Sequence, residues 1–208
     1  MFNRQEAIIR LGNKMCQGEL NITPECAEYE LLDYCLSDDE IQIMLGMALM
    51  KPLPPSIIAA RSHMPVGKTK RILADLVDRA ILVDAHIPGV DMYMYTLPVF
   101  APGMFEFLLT NDKFMEANPE VAYLFERHVD ESYADVAPAS PMGVGIMRVI
   151  PIESALPAET KQISMERLSF LMETTMGGLF CLVPCQCRRV RRIMGEGTGD
   201  RDEAMCLY

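Results

Sequence analysis

Ser37-Asp38-Asp39-Glu40-Ile41-Gln42-Ile43-Met44-Leu45 begins the stretch that decides the fold. Ser37 followed three residues later by Glu40 is a capping box, and it stands directly before an apolar run from Ile41 to Met50. Pro52, Pro54 and Pro55 end that helix. Ser56 to Arg61 reads as a second, short helix, and Met64-Pro65-Val66-Gly67 as a turn. Lys68 to Ala80 reads as a third helix, with Ile72, Leu73, Leu76 and Val77 on one face. Ile81 to Ile87 and the alternating Met92 to Leu97 flank the turn residues Pro88-Gly89-Val90-Asp91, the pattern of a β-hairpin. Three helices with a tight turn, then a hairpin, predict a winged helix-turn-helix over about 37–100.

Outward from that stretch, residues 1–36 read as two short helices. Ala7, Ile8 and Leu11 form one apolar stripe, and Tyr29, Leu31, Leu32 and Cys35 another. Thr23-Pro24-Glu25 gives a cap with proline at the first helical position. Residues 101–135 read as amphipathic helix, over Met104–Leu109 and again over Pro119–His128. Residues 137–143 have the composition of a linker. Beyond it, Val144–Ile152 reads as a strand, Ser164–Met176 as a helix, Leu179–Val183 as a second strand, and Arg188–Met194 as a closing helix. The expected fold class is therefore α+β. A helical domain over 1–136 contains the winged helix, and a small α/β unit over 144–208 carries a cysteine segment.

Composition limits the function classes. The 208 residues are half hydrophobic, enough to bury a core, and include 17 Met but no Trp. Twenty-nine acidic against 19 basic residues give a net charge of −10. An acidic chain repels phosphate backbones, so nucleic acid is not expected as a partner without a sharply localised basic patch. The N-terminus lacks a signal-peptide pattern, and no apolar run approaches the roughly 18 residues of a membrane span. A cytoplasmic protein is expected. In a reducing compartment seven cysteines do not form a disulfide framework. Cys16, Cys26 and Cys35 are widely spread and read as structural.

The C-terminal cysteines are different. Cys185-Gln186-Cys187 follows Pro184 at the junction of a strand and a helix, where two thiolates can be aimed at one point. A helix N-terminus favours the thiolate, the form that binds metal. Arg188, Arg189, Arg191 and Arg192 stand where they would offset the negative charge of a thiolate-bound cluster. By spacing alone, the segment is either a metal site or a pair of unrelated thiols.

Val149-Ile150-Pro151-Ile152-Glu153-Ser154-Ala155-Leu156-Pro157-Ala158-Glu159-Thr160, then Pro184-Cys185-Gln186-Cys187-Arg188, Gly195-Glu196-Gly197 and Met205-Cys206-Leu207-Tyr208, resemble a family of multidomain iron–sulfur oxidoreductases of ferredoxin type. The resemblance implies a winged-helix region ahead of a cysteine segment that holds a 4Fe–4S cluster. It also implies partnership with a flavin- and NAD(P)-dependent oxidoreductase or a ferredoxin-like protein. Cys185, Cys187 and Cys206 match the family's ligand positions, whereas Thr198 stands where a further cysteine is expected. Cys181 is the extra thiol four residues upstream of Cys185. Either Cys181 completes the set, or three cysteines hold the group, or the site is degenerate. Family members continue past the position of Tyr208, which implies an N-terminal piece or a shortened member.

The expected function is electron transfer, as a component of an oxidoreductase rather than a self-contained enzyme, because no acid–base constellation is visible. No catalytic residue is assigned. The alternative is a winged-helix transcriptional regulator with redox- or metal-sensing cysteines, contacting DNA through Lys68, Lys70, Arg71 and Arg61. Zinc on four thiolates is a lesser alternative to iron. Association with a second copy of the chain is left open. Gly67-Lys68-Thr69 mimics the end of a phosphate-binding loop but lacks the upstream glycine, where Ser62 stands. His63, His86 and His128 read as isolated.

Overall fold

A computed structural model describes residues 2–87, 89, 92–133, 182–183, 186–196 and 206–207. These residues form an α+β structure, mostly helical with small antiparallel sheets. The expected linker at 137–143, the strand at 144–152 and the helix at 164–176 lie outside the described residues.

Asn3 caps α1 (Arg4–Met15) by accepting from the Glu6 N–H, and Ala7, Ile8, Leu11 and Met15 form its buried stripe. The chain then reverses through left-handed Gln17 and Gly18 into α2 (Ala27–Cys35). The capping signal before α3 (Asp38–Gly46) operates: the Ser37 N–H donates to Glu40 Oε2 at 2.6 Å and its hydroxyl to the same oxygen at 2.7 Å. Proline at the first helical position opens α4 (Pro55–Arg61). The third helix of this group, α5 (Val66–Asp78), buries Thr69, Leu73 and Leu76 at helical spacing. β1 (Val83–Ile87) and β2 (Met92–Thr96) pair antiparallel, with Val83 opposite Thr96 and Ile87 opposite Met92.

α2 opens at Ala27 with Cys26 as its cap rather than at Pro24 behind Thr23, and two further elements depart from the sequence expectation. The apolar run was expected to stay helical to Met50, but α3 stops at Gly46. The half-buried Lys14 ammonium donates to the carbonyls of Met44, Leu45 and Met47, closing the helix end from α1. The residues that follow turn to β2: the Met50 N–H donates to the Leu97 carbonyl, and Leu53 and Tyr95 exchange both backbone bonds. A long-range pairing thus claims backbone that local pattern assigned to helix. The other departure is α5, which begins two residues before Lys68, with Pro65 as its cap and the Pro65 carbonyl accepting from Thr69.

The chain continues through α6 (Phe105–Thr110), α7 (Asp112–Ala117) and α8 (Glu120–His128). The sequence reading misses α7 because six residues are too short to show a period; the Asn111 side chain caps it by accepting from Phe114 N at 3.0 Å. α1 packs on α2 and α3, α2 on α8, and α4 on α5. Phe100 and Phe105 are the largest fully buried side chains among the described residues.

Three short elements complete the description. β3 (Leu182–Val183) pairs antiparallel with β4 (Cys206–Leu207), and α9 (Gln186–Ile193) packs against α8 and α6. The chain divides into two compact units, Met1–Ala137 with Pro184–Ala204, and Pro138–Val183 with Met205–Tyr208. α9 therefore belongs with the helical body rather than with the strands that flank it in sequence. Among the described residues no helix is long and apolar enough to cross a membrane.

Candidate functional site

The four cysteines singled out by sequence fall in different places. Cys181 and Cys185 lie outside the described residues. Cys187 is the second residue of α9 and is exposed. The backbone of Cys206 is held in β4, opposite Val183. Val183 precedes Cys185 by two residues and Cys187 by four. Among the described residues no group of three or more histidine, cysteine or acidic side chains has the geometry of a metal site.

The amphipathic pattern of α9 decides which of its groups face outward. Gln186, Arg189 and Val190 are buried, whereas Cys187, Arg188, Arg191 and Arg192 are exposed. Arg189 does not belong to the outward cationic surface that the sequence led us to expect. Its side chain is 7 % exposed; it donates to the Leu109 carbonyl at 2.6 Å and pairs with Asp112. This arginine anchors α9 by filling the orphan acceptor at the end of α6. The reason is periodicity: in Arg188-Arg189-Val190-Arg191-Arg192, one arginine must share the inward face with Val190. Arg191 reaches Glu126 on α8 at 3.9 Å. Cys187 is thereby presented on the outer side of a helix whose inner side is fixed by packing and a charged hydrogen bond.

The helical body holds a second cluster that sequence reasoning missed. His128, expected to be isolated, ends α8 fully buried beside the equally buried Glu28 of α2, with Nδ1 2.6 Å from Oε1. A carboxylate only accepts, so Nδ1 carries the hydrogen. Burial pushes the Glu28 carboxyl up, but hydrogen bonds from His128, Ser132 and the Cys26 thiol outweigh it and hold the group at about 2. The His128 ring packs against Phe100 and Phe105, with centroids 5.7 and 5.4 Å away, and its Nε2 is buried with no partner among the described residues. One hundred residues separate Glu28 from His128, so no local spacing could reveal the pair. The only signal was a helix-ending histidine in a chain rich in acids.

That cluster bears on the N-terminal thiols. Burial first, then the Glu28 carboxylate, pushes the Cys16 thiol up to about 12. Burial also pushes Cys35 up to about 12, and burial with Glu28 raises Cys26. A thiol held protonated is neither a metal ligand nor a nucleophile. Of the described cysteine side chains, only Cys187 is exposed.

No protein family, no curated protein and no solved structure matches this chain.

Proposed function

We propose that this chain is an iron–sulfur electron-transfer protein, or the N-terminal part of an iron–sulfur oxidoreductase. Cys185, Cys187 and Cys206 are the proposed thiolate ligands, with Cys181 as the fourth. The observation that carries this reading is the β3–β4 register. It returns Cys206, remote in sequence, to the backbone beside Val183, directly upstream of Cys185-Gln186-Cys187. Donor chemistry agrees with it. Cys187 is a soft ligand, exposed in the first turn of a helix with no acidic residue, where a thiolate meets the positive end of the helix dipole and neighbouring guanidinium charge. Arg189 keeps that turn in place from beneath. The cluster, when bound, supplies one-electron transfer; the chain's own residues hold and orient it. A flavin- and NAD(P)-dependent oxidoreductase or a ferredoxin-like protein is the proposed partner, and the cytoplasm the proposed location.

In this reading, α3, α4 and α5 with the β1–β2 hairpin form a winged helix that serves packing and protein contact rather than DNA. Lys68, the first of the expected phosphate contacts, is paired with Asp39 at 2.5 Å. Asp75 and Asp78 on α5 and Asp84 on β1 add negative charge to the same helix and hairpin. The Lys68–Asp39 pair and this negative charge count against the regulator reading, because phosphate binding rests on cations that neutralise phosphates.

The test is anaerobic purification followed by iron and acid-labile sulfide assay. Iron and sulfide near four per chain are expected with a 4Fe–4S cluster bound. Cys187→Ala and Cys206→Ala should each lose most of the iron while keeping the wild-type circular dichroism. A colourless, iron-free protein after anaerobic reconstitution would overturn the proposal, and zinc in its place would reassign the site.

A further inference from the structure

The helical body carries a hollow of about 500 Å³ between α1, α3 and α4, remote in sequence from the cysteine segment. Its charged lining is two arginines and one glutamate, with a histidine beside them. Arg10 comes from α1, Arg61 from the last turn of α4, and His63 from the left-handed residue that follows α4. The two helix ends are held close. The Gln42 amide donates to the Ser62 carbonyl at 2.7 Å, and a Cβ added at Gly46 would stand 3.1 Å from the Ser62 nitrogen. The rim is thus built by packing rather than left to loose surface chains.

Arg4, Arg79, Arg127 and Arg189 each make an ion pair with a carboxylate. Arg10 and Arg61 pair with no described residue, in a chain with 29 acids to 19 bases. They stand close enough to Lys14 that, after its burial, their charges also lower the Lys14 ammonium. Lys14 itself is committed to the carbonyls of Met44, Leu45 and Met47. Glu6 also lines the hollow, within ion-pair distance of neither arginine. Two exposed guanidinium groups with no ion-pair partner among the described residues, on the wall of one hollow, are available to an anion.

We propose that this hollow binds a small phosphomonoester, its phosphoryl group held by Arg10 and Arg61 and its apolar body lying against Phe2 and Leu45. Three observations fix that class. Two guanidinium forks match a dianion, and a phosphomonoester carries a charge of about −1.5 to −2 near neutral pH. Phe2, 42 % exposed, and Leu45 supply apolar wall that inorganic phosphate alone would not cover. The His63 ring adds a donor to the phosphoryl oxygens in either of its protonation states.

Equilibrium dialysis of phenyl phosphate against the full chain at constant ionic strength tests this. Saturable binding is expected, weaker by about tenfold or more in Arg10→Gln and in Arg61→Gln. Both residues are exposed, so both variants should keep the wild-type melting temperature without ligand. Glu6→Gln should tighten binding several-fold, a gain that misfolding cannot mimic. Inorganic phosphate and benzoate should each bind more weakly than phenyl phosphate. No saturable binding up to about 10 mM would overturn the proposal, as would unchanged affinity in the Arg10→Gln/Arg61→Gln double variant. Benzoate binding as tightly as phenyl phosphate would overturn the phosphoryl assignment.

Discussion

The openings of α2 and α9 each carry a cysteine: Cys26 caps α2, and Cys187 is the second residue of α9. A helix N-terminus favours thiolate in both places, and the backbone N–H of Tyr29 does act on Cys26 in that direction. Burial and the adjacent Glu28 carboxylate win nonetheless, and the Cys26 thiol is raised. Cys187 is exposed, on a helix that carries four arginines and no acid. The lesson is one of magnitudes. The partial charge of a helix end is worth less than desolvation and a full carboxylate charge nearby. Residue type and helix position are shared; the environment raises one thiol and leaves the other exposed.

Removing what protects the α2 end should have the largest effect. Glu28→Ala leaves His128 buried with neither ring nitrogen satisfied among the described residues, and should cost about 3 kcal/mol or more of unfolding free energy by urea denaturation. The same pair sets an acid limit. The Glu28 carboxyl is held at about 2 in the fold against an ordinary 4.5. A carboxyl lowered by folding contributes stability that is fully present above 4.5 and is lost as pH falls from there toward 2. The loss should be on the order of 3 kcal/mol, with unfolded protein accumulating below about pH 4. Stability that is flat between pH 5 and 2 would remove Glu28 from its assigned state.

The α9 end should respond less. Arg189→Ala strips the charged anchor and leaves the Leu109 carbonyl unpaired, at a cost of about 2 kcal/mol. Its exposed neighbour, changed as Arg188→Ala, should stay within about 0.5 kcal/mol. Equal effects of the two would dissolve the inward assignment of Arg189. The smallest effect is kinetic. In the metal-free protein at neutral pH, peptide-resolved alkylation should modify Cys187 at least about tenfold faster than Cys16 or Cys35. A Cys16 as reactive as Cys187 would erase the contrast between the two helix ends.

Much of the helical body was legible because its determinants are local. The Ser37–Glu40 cap spans three residues, Pro55 opens its own helix, and the alternation from Met92 declares the hairpin. Where reading failed, a distant group had intervened. α3 was expected to continue to Met50, but Lys14 closes it and β2 takes the following backbone. His128 read as isolated because its partner lies one hundred residues away. Arg189 read as surface charge because four arginines in five positions conceal which one turns inward.

The sequence by itself determined most helices of the helical body, the hairpin and the presence of a cysteine segment distinct from the N-terminal thiols. These follow from propensity, capping and periodicity, which act within about one or two turns of chain. The tertiary structure alone decided which charges are buried, which thiols are protected, and that Arg10 and Arg61 face one hollow. Those depend on distances between residues remote in sequence, which are undefined until the core has closed. The contrast between Cys26 and Cys187 is settled by that closure, because the carboxylate and the burial that silence Cys26 exist only in the folded chain.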